Sequence, residues 1–322
     1  MSKNEKQLIA QYRLGNEDGR AASSRSTNLE FHYTKKHLHG LIQKTDRVLE
    51  VGCATGYYGL YYAGSCRDYV GIDIVPEHID LFRQKIAQRR LNNVSCRVGD
   101  ATSLKGVGDN SFDVVLCLGP MYHLPPRERE LVFAECARVC KQDGVLAFAY
   151  INKVGVYAGA CILDSRYPNE LANQCVLENG TDDLRPELFF YTTPEEMASR
   201  AASYGLHKIK NLGTDFFFLM NLVNEMNDEE FERMRPLYDR RLWYGGSTAF
   251  TKENRPQPKS CRRFFLERFS LQQIHQLFLE LFHMLDFKGN GIFEHPIVEI
   301  AQIRRLGLVS LKVLQPLFEF AN

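Results

Sequence analysis

Between residues 47 and 151, short, mainly apolar runs alternate with longer stretches whose apolar residues recur at helical spacing. RVLEVG (47–52), DYVGIDI (68–74), VSCRVGD (94–100), FDVVLCLG (112–119) and GVLAFAYI (144–151) predict strands. Helices are predicted over TGYYGLYYAG (55–64), PEHIDLFRQKIAQRR (76–90) and PRERELVFAECARVC (126–140). The second opens on Pro76 and aligns Ile79, Phe82 and Ile86 along one side. Strands that are apolar on both faces, each followed by a helix, predict a mostly parallel sheet covered on both sides. With right-handed crossovers the result is a doubly wound α/β fold. Such sheets bind ligands beyond the carboxyl ends of their strands. The positions to inspect are therefore Glu50–Gly56, Asp73-Ile74, Asp100-Ala101, Leu118–Leu124 and Tyr150–Asn152.

The flanks are less regular. Residues 1–24 are polar and partly helical in pattern, and 29–43 carry Leu29, Tyr33, His37 or Leu38, and Leu41 at helical spacing. Residues 152–190 show no period. TPEEMASRAASYG (193–205) has Thr193 to cap a helix and Gly205 to end it. HKIKNLG (207–213) predicts a sixth strand, and 228–242 a helix. No seventh strand is visible before residue 254; IVEIAQI (297–303) and LVSLKVL (308–314) are the later candidates. The expected division is a domain over 1–250, with N-terminal helices at 1–45, an α/β core at 46–151 and a lid with the remaining sheet elements at 152–250. A mostly helical C-terminal extension follows over 251–322, behind the linker-like NRPQPKS at 254–260. The apolar face of 270–287 requires cover, either by the main domain or by a second copy in a homodimer.

Composition narrows the function. A 322-residue chain that is 44% hydrophobic builds a sizeable core, and a net charge of +1 gives no general attraction to nucleic acid or to an anionic membrane. Nine cysteines without a CxxC pair read as reduced, packed thiols of a cytoplasmic protein, with no metal site. The N-terminus is too polar for a secretory signal, and no apolar run is long enough to span a membrane.

The candidate chemistry begins after the first strand. Glu50-x-Gly52-x-Ala54-x-Gly56 breaks the glycine frame of a dinucleotide site and lacks the Gly-Lys-Ser/Thr of a P-loop. A carboxylate at this place would repel a phosphate. The pattern resembles the first motif of class I S-adenosylmethionine-dependent methyltransferases. Asp73 in GIDI, Asp100-Ala101 in VGDA and LGPMYHL (118–124), which looks like the "GPLYHL" segment of small-molecule members, follow in order. The likeness runs over residues 11–220.

It implies a Rossmann-like fold and S-adenosyl-L-methionine as cofactor. Glu50 would offset the ligand's positive charge and tie down the loop through backbone N–H groups or a water. Gly52, Ala54 and Gly56 would let the backbone approach the ligand. Asp73 would take the ribose hydroxyls, and Asp100 and Ala101 the adenine edge. Ile74 and Leu104 would wall the ring, and Leu118 would offer a carbonyl to the ammonium. Tyr57 and Tyr12 are placed to cover the cofactor, and a tyrosine face suits a sulfonium. His123 is the first candidate base, with Tyr122 beside it.

Absences define the acceptor. After the fourth strand there is no Asn/Asp-Pro-Pro-Tyr/Phe and no Pro-Cys, and the paired-glutamate loop of protein arginine methylases is missing. A small molecule methylated on O, N or C is favoured, under a lid carrying Phe189, Phe190, Tyr191, Phe216, Phe217, Phe218, Trp243 and Tyr244. Two other readings compete: a non-catalytic sensor or partner protein that keeps the cofactor pocket, and a nicotinamide oxidoreductase, against which Glu50 and Ala54 argue.

Overall fold

A computed structural model describes residues 3–13, 17–157, 171–181, 188–214, 220–239 and 247–251. Its centre is a seven-stranded sheet in the order β3-β2-β1-β4-β5-β7-β6. These strands are β1 (Arg47–Val51), β2 (Asp68–Asp73), β3 (Val94–Val98), β4 (Phe112–Cys117), β5 (Cys140–Ala149), β6 (His207–Leu212) and β7 (Ser247–Thr251). The first five run parallel, as the two-sided apolar runs predict. The order reverses between β1 and β4, so the crevice expected for a ligand opens at the carboxyl ends of these two strands.

Alternation along the strands feeds two apolar layers. Leu49 and Val51 of β1, with Val115 and Cys117 of β4 and Leu146 and Phe148 of β5, face α5 (Pro126–Val139) through Val132, Phe133, Cys136 and Val139. Val48, Val114, Leu116 and Ala147 face the other way. They meet α2 (Arg25–Leu38), α3 (Tyr57–Tyr62) and α4 (Pro76–Gln88) through Phe31, Leu38, Tyr58, Tyr62, Ile79 and Phe82. Glu50 shares this second face, a carboxyl set in an apolar layer.

Three expectations need correction. The seventh strand is Ser247–Thr251, well before the segments proposed for it. It pairs antiparallel with β5 on one side and with β6 on the other. Its sequence, STAFT, has no apolar run to mark it; its place rests on backbone pairing to two neighbours. Residues 152–190 are not wholly irregular, since Leu171–Asn179 is helical. Leu104 packs in the core beneath the sheet's end and does not reach the ligand crevice, its backbone N–H being held by Glu135 at 2.6 Å. The linker at 254–260, the helix at 270–287, the homodimer argued from it and the later strand candidates all lie outside the described residues. Among the described residues no helix is long and apolar enough to cross a membrane, and no group of three or more His, Cys, Asp or Glu is placed to hold a metal ion.

Candidate active site

A cavity of about 500 Å³ opens at the carboxyl ends of β1 and β4. It draws together Glu50, Gly52, Ala54 and Tyr57 from the first loop and helix, Asp73 and Ile74 from β2, and Asp100 and Ala101 after β3. Leu118, Tyr122 and His123 reach it from the segment after β4, Tyr12 from the N-terminal helix α1 (Lys3–Arg13), and Phe189 from the lid. Every residue singled out for cofactor binding or chemistry has a place around this one space except Leu104, which lies in the core, and Gly56, which shapes the loop from behind.

The glycine loop owes its composition to packing as much as to access. Gly52 and Gly56 sit at φ +77° and +84°, where a side chain is strained. A Cβ on Gly52 would lie 2.6 Å from the Pro120 ring, and one on Gly56 would lie 2.1 Å from the Phe82 ring. The room these glycines save is therefore filled by the protein itself, which corrects the expectation that they clear space for a ligand. Ala54, also at positive φ (43°), is held by its N–H, which donates to Asp73 Oδ2 at 2.8 Å. The Val75 N–H donates to Asp73 Oδ1 at 2.9 Å. Asp73 thus fixes both the loop and the start of α4 while lining the cavity.

Glu50 behaves differently from expectation. It is only 2% exposed, and Oε2 accepts from the Tyr69 hydroxyl at 2.8 Å, where a loop N–H had been anticipated. Burial pushes its carboxyl up to about 8; the Tyr69 hydroxyl opposes that rise and the Asp73 charge adds to it. Asp100 accepts from the Thr102 N–H at 2.8 Å and the Thr102 hydroxyl at 2.7 Å, so it also shapes its own turn.

At the other end of the cavity stands His123. The Leu188 carbonyl can only accept, so Nδ1, 2.9 Å away, carries the proton. Nε2 must then accept, and it does so from the Tyr12 hydroxyl at 2.7 Å. Tyr12, Tyr122 and Phe189 box the ring, with centroids 5.1, 4.5 and 5.1 Å away. Burial drives the imidazole down to about 4. His123 therefore reaches the cavity with its accepting nitrogen covered by the Tyr12 hydroxyl.

Sequence reasoning missed four contributors. His78 stands in the first turn of α4, and its Nε2 meets the Tyr12 carbonyl at 3.2 Å. Its buried Nδ1 has no hydrogen-bond partner and lies 3.7 Å from Asp73. Tyr69 lies two residues before Gly71, the register partner of Glu50. Arg20 and Glu30 line the cavity as a pair at 2.7 Å. His78 was findable, one helical turn beyond Asp73; the other contacts join segments whose spacing carries no signal.

The sequence profile of a methyltransferase domain matches residues 48–144. The ubiquinone biosynthesis O-methyltransferase of Acinetobacter baylyi is 26% identical over 184 residues, which cover 57% of this chain and 71% of that one. Residues 48–144 thus carry a methyltransferase domain, of the pattern seen in class I S-adenosylmethionine-dependent methyltransferases. A Neisseria meningitidis protein, also called ubiquinone biosynthesis O-methyltransferase, is 31% identical over 108 residues, and there the methyltransferase spans 44% of its relative. A solved Pyrococcus horikoshii protein shares the fold, with a TM-score of 0.50 at 19% identity over 76% of this chain and 99% of that one.

The cavity fits the family's cofactor. S-adenosylmethionine carries an ammonium and a sulfonium, and the carboxyls of Glu50 and Asp73 line the space. The orphaned Nδ1 of His78 leaves a buried polar atom beside Asp73, where a ligand hydroxyl finds partners.

Proposed function

We propose that this methyltransferase acts on a small molecule whose accepting atom is an oxygen or nitrogen that bears a proton. The observation that carries the reading is the Tyr12–His123 hydrogen bond, 2.7 Å long, between two residues that line the cavity. When bound, S-adenosylmethionine supplies a methyl group on cationic sulfur, an electrophile that needs a well-placed, proton-relieved acceptor. In this reading Asp73 holds the ribose hydroxyls, and Asp100, Ala101 and Ile74 take the adenine. Glu50, Gly52, Ala54 and Leu118 surround the amino-acid end, with Gly56 fixing the loop, and Tyr57 and Tyr12 close over the top.

The acceptor compartment lies among Tyr12, Tyr122, His123 and Phe189. An acceptor X–H donates to the Tyr12 oxygen, and Tyr12 passes its own proton to Nε2 of His123. Nδ1–H stays on the Leu188 carbonyl throughout, so the ring neither turns nor changes its anchor. The low basicity of His123 keeps the resting pair neutral and returns the proton to water once product leaves. The catalytic pair is thus Tyr12 and His123, and Tyr122 packs the imidazole in place. Holding two reactants in contact supplies the larger part of the acceleration, about 7 kcal/mol or more in favourable cases. The aromatic walls exclude water from the transfer. The O-methyltransferase names of the relatives support oxygen as the accepting atom.

The test is transfer of a labelled methyl group to a panel of phenols, catechols, alcohols and amines. One class should be methylated, and Tyr12→Phe should lower kcat about 100-fold while KM for the donor changes little. Transfer to carbon alone, or a Tyr12→Phe enzyme with unchanged kcat, would remove the relay.

A further inference from the structure

Glu50 is a carboxyl buried on a central strand whose bonded partner is a hydroxyl and whose charged neighbour, Asp73, has the same sign as its own anion. The titratable groups that face it are Tyr69 on β2, Cys53 in the loop, and Tyr58 and Tyr62 on α3, all of them neutral when protonated and all pushed up by burial. None of them supplies a positive charge. A carboxylate in such a place lacks what would sustain it. Glu50 nonetheless lines the cavity, so a cation entering there is the missing partner.

We infer that Glu50 is a proton-linked counter-charge: it stands protonated in the empty protein, ionises when the cationic donor enters, and takes a proton back once the sulfur has lost its charge. This rests on the cavity being the donor site. The device makes Glu50 a specificity-determining residue, because donor and spent product share their ammonium and carboxylate and differ by the sulfonium charge. Linkage is reciprocal, so a ligand that expels a proton binds more tightly as pH rises.

The experiment is isothermal calorimetry of the full chain with S-adenosylmethionine and with S-adenosylhomocysteine, in buffers of differing ionisation enthalpy. The window is about pH 6 to 7.5, below the range where a free α-amino group titrates. Donor binding should release close to one proton, with affinity rising about tenfold per pH unit; the demethylated product should release clearly less. Glu50→Gln, which keeps an acceptor for the Tyr69 hydroxyl, should abolish the release. Should that variant fail to fold, carboxyl-labelled glutamate in the wild-type protein provides the second measurement. One buried carboxyl resonance should sit at its protonated position without ligand and move to the carboxylate position with donor. Donor binding without proton release, or equal release with both ligands, overturns the inference. A wild-type protein that binds no donor at any pH instead overturns the reading of the cavity.

Discussion

At the residue scale, positions were more legible than reasons. Glu50, Gly52, Gly56 and Asp73 stand out from spacing alone, but spacing cannot say that Phe82 and Pro120 occupy the room the glycines leave. Gly56→Ala combines a strained φ with a Cβ 2.1 Å from Phe82, in a core that cannot yield. It should destabilise the fold by about 3 kcal/mol, read as a lower urea midpoint with an unchanged slope. Glu50 gives the opposite sign. Its carboxyl is raised from the ordinary range to about 8, so the folded state holds a proton that the unfolded chain gives up. The associated stability is intact at low pH and is lost as pH climbs from the ordinary carboxyl range toward that value. Glu50→Gln carries no such loss. Without ligand it should be the more stable protein at neutral pH, by on the order of 3 kcal/mol, with the gap closing near pH 4. Urea titrations at the two pH values check this, and a gap independent of pH would mean that the carboxyl titrates alike in the folded and unfolded chain.

At the scale of elements, the strand–helix alternation of residues 47–151 was plain in the sequence because the inner strands β1, β4 and β5 bury both faces. The N-terminal strap was not. Helix α1 is polar, and what holds it are single contacts to distant elements. Arg13 pairs with Glu77 at 2.7 Å, the Tyr12 carbonyl meets His78, and the Tyr12 hydroxyl meets His123. Beyond it Asp18 pairs with Lys85 and meets Thr55 at 3.3 Å. These anchors close the cavity, and no described residue of α1 belongs to either apolar layer, Leu8 lining the cavity instead, so the strap should open more easily than the sheet unfolds. Deleting residues 1–13 should weaken donor binding about tenfold while leaving the urea midpoint of the sheet nearly unmoved; a large loss of stability would place α1 in the core instead. The pH behaviour of the strap has a definite sign. His123 is held far below the free imidazole value, so the fold resists its protonation, and its contribution is lost progressively as pH falls from the ordinary imidazole range toward about 4. His78 is pulled up by Asp73 and the Tyr12 carbonyl against its burial, so its contact with Asp73 strengthens on acidification. The protection of the α1 amides against hydrogen exchange should therefore weaken steadily from about pH 6.5 downward.

At the scale of the whole molecule, the seventh strand is the last element among the described residues. β7 lies between β5 and β6, so it is interior to the sheet although it comes late in the chain. Without it β5 presents an unpaired edge and β6 loses its sheet neighbour, each with a row of unsatisfied backbone groups. A strand is recognised in sequence by what its side chains bury, and STAFT has two apolar residues in five. What makes it indispensable is pairing on both sides, which leaves no mark on composition. Among the described residues the last strand of the sheet ends at Thr251, and the residues lining the cavity precede it. A chain of residues 1–251 should therefore unfold in one cooperative transition and bind S-adenosylmethionine as the full chain does. A chain ending at residue 246 lacks only five more residues, yet should aggregate or unfold at markedly lower urea and bind no donor. Loss of donor binding in the longer fragment would move the domain boundary past 251 and make part of the C-terminal segment a piece of the active site; equal behaviour of the two fragments would deny β7 its structural role.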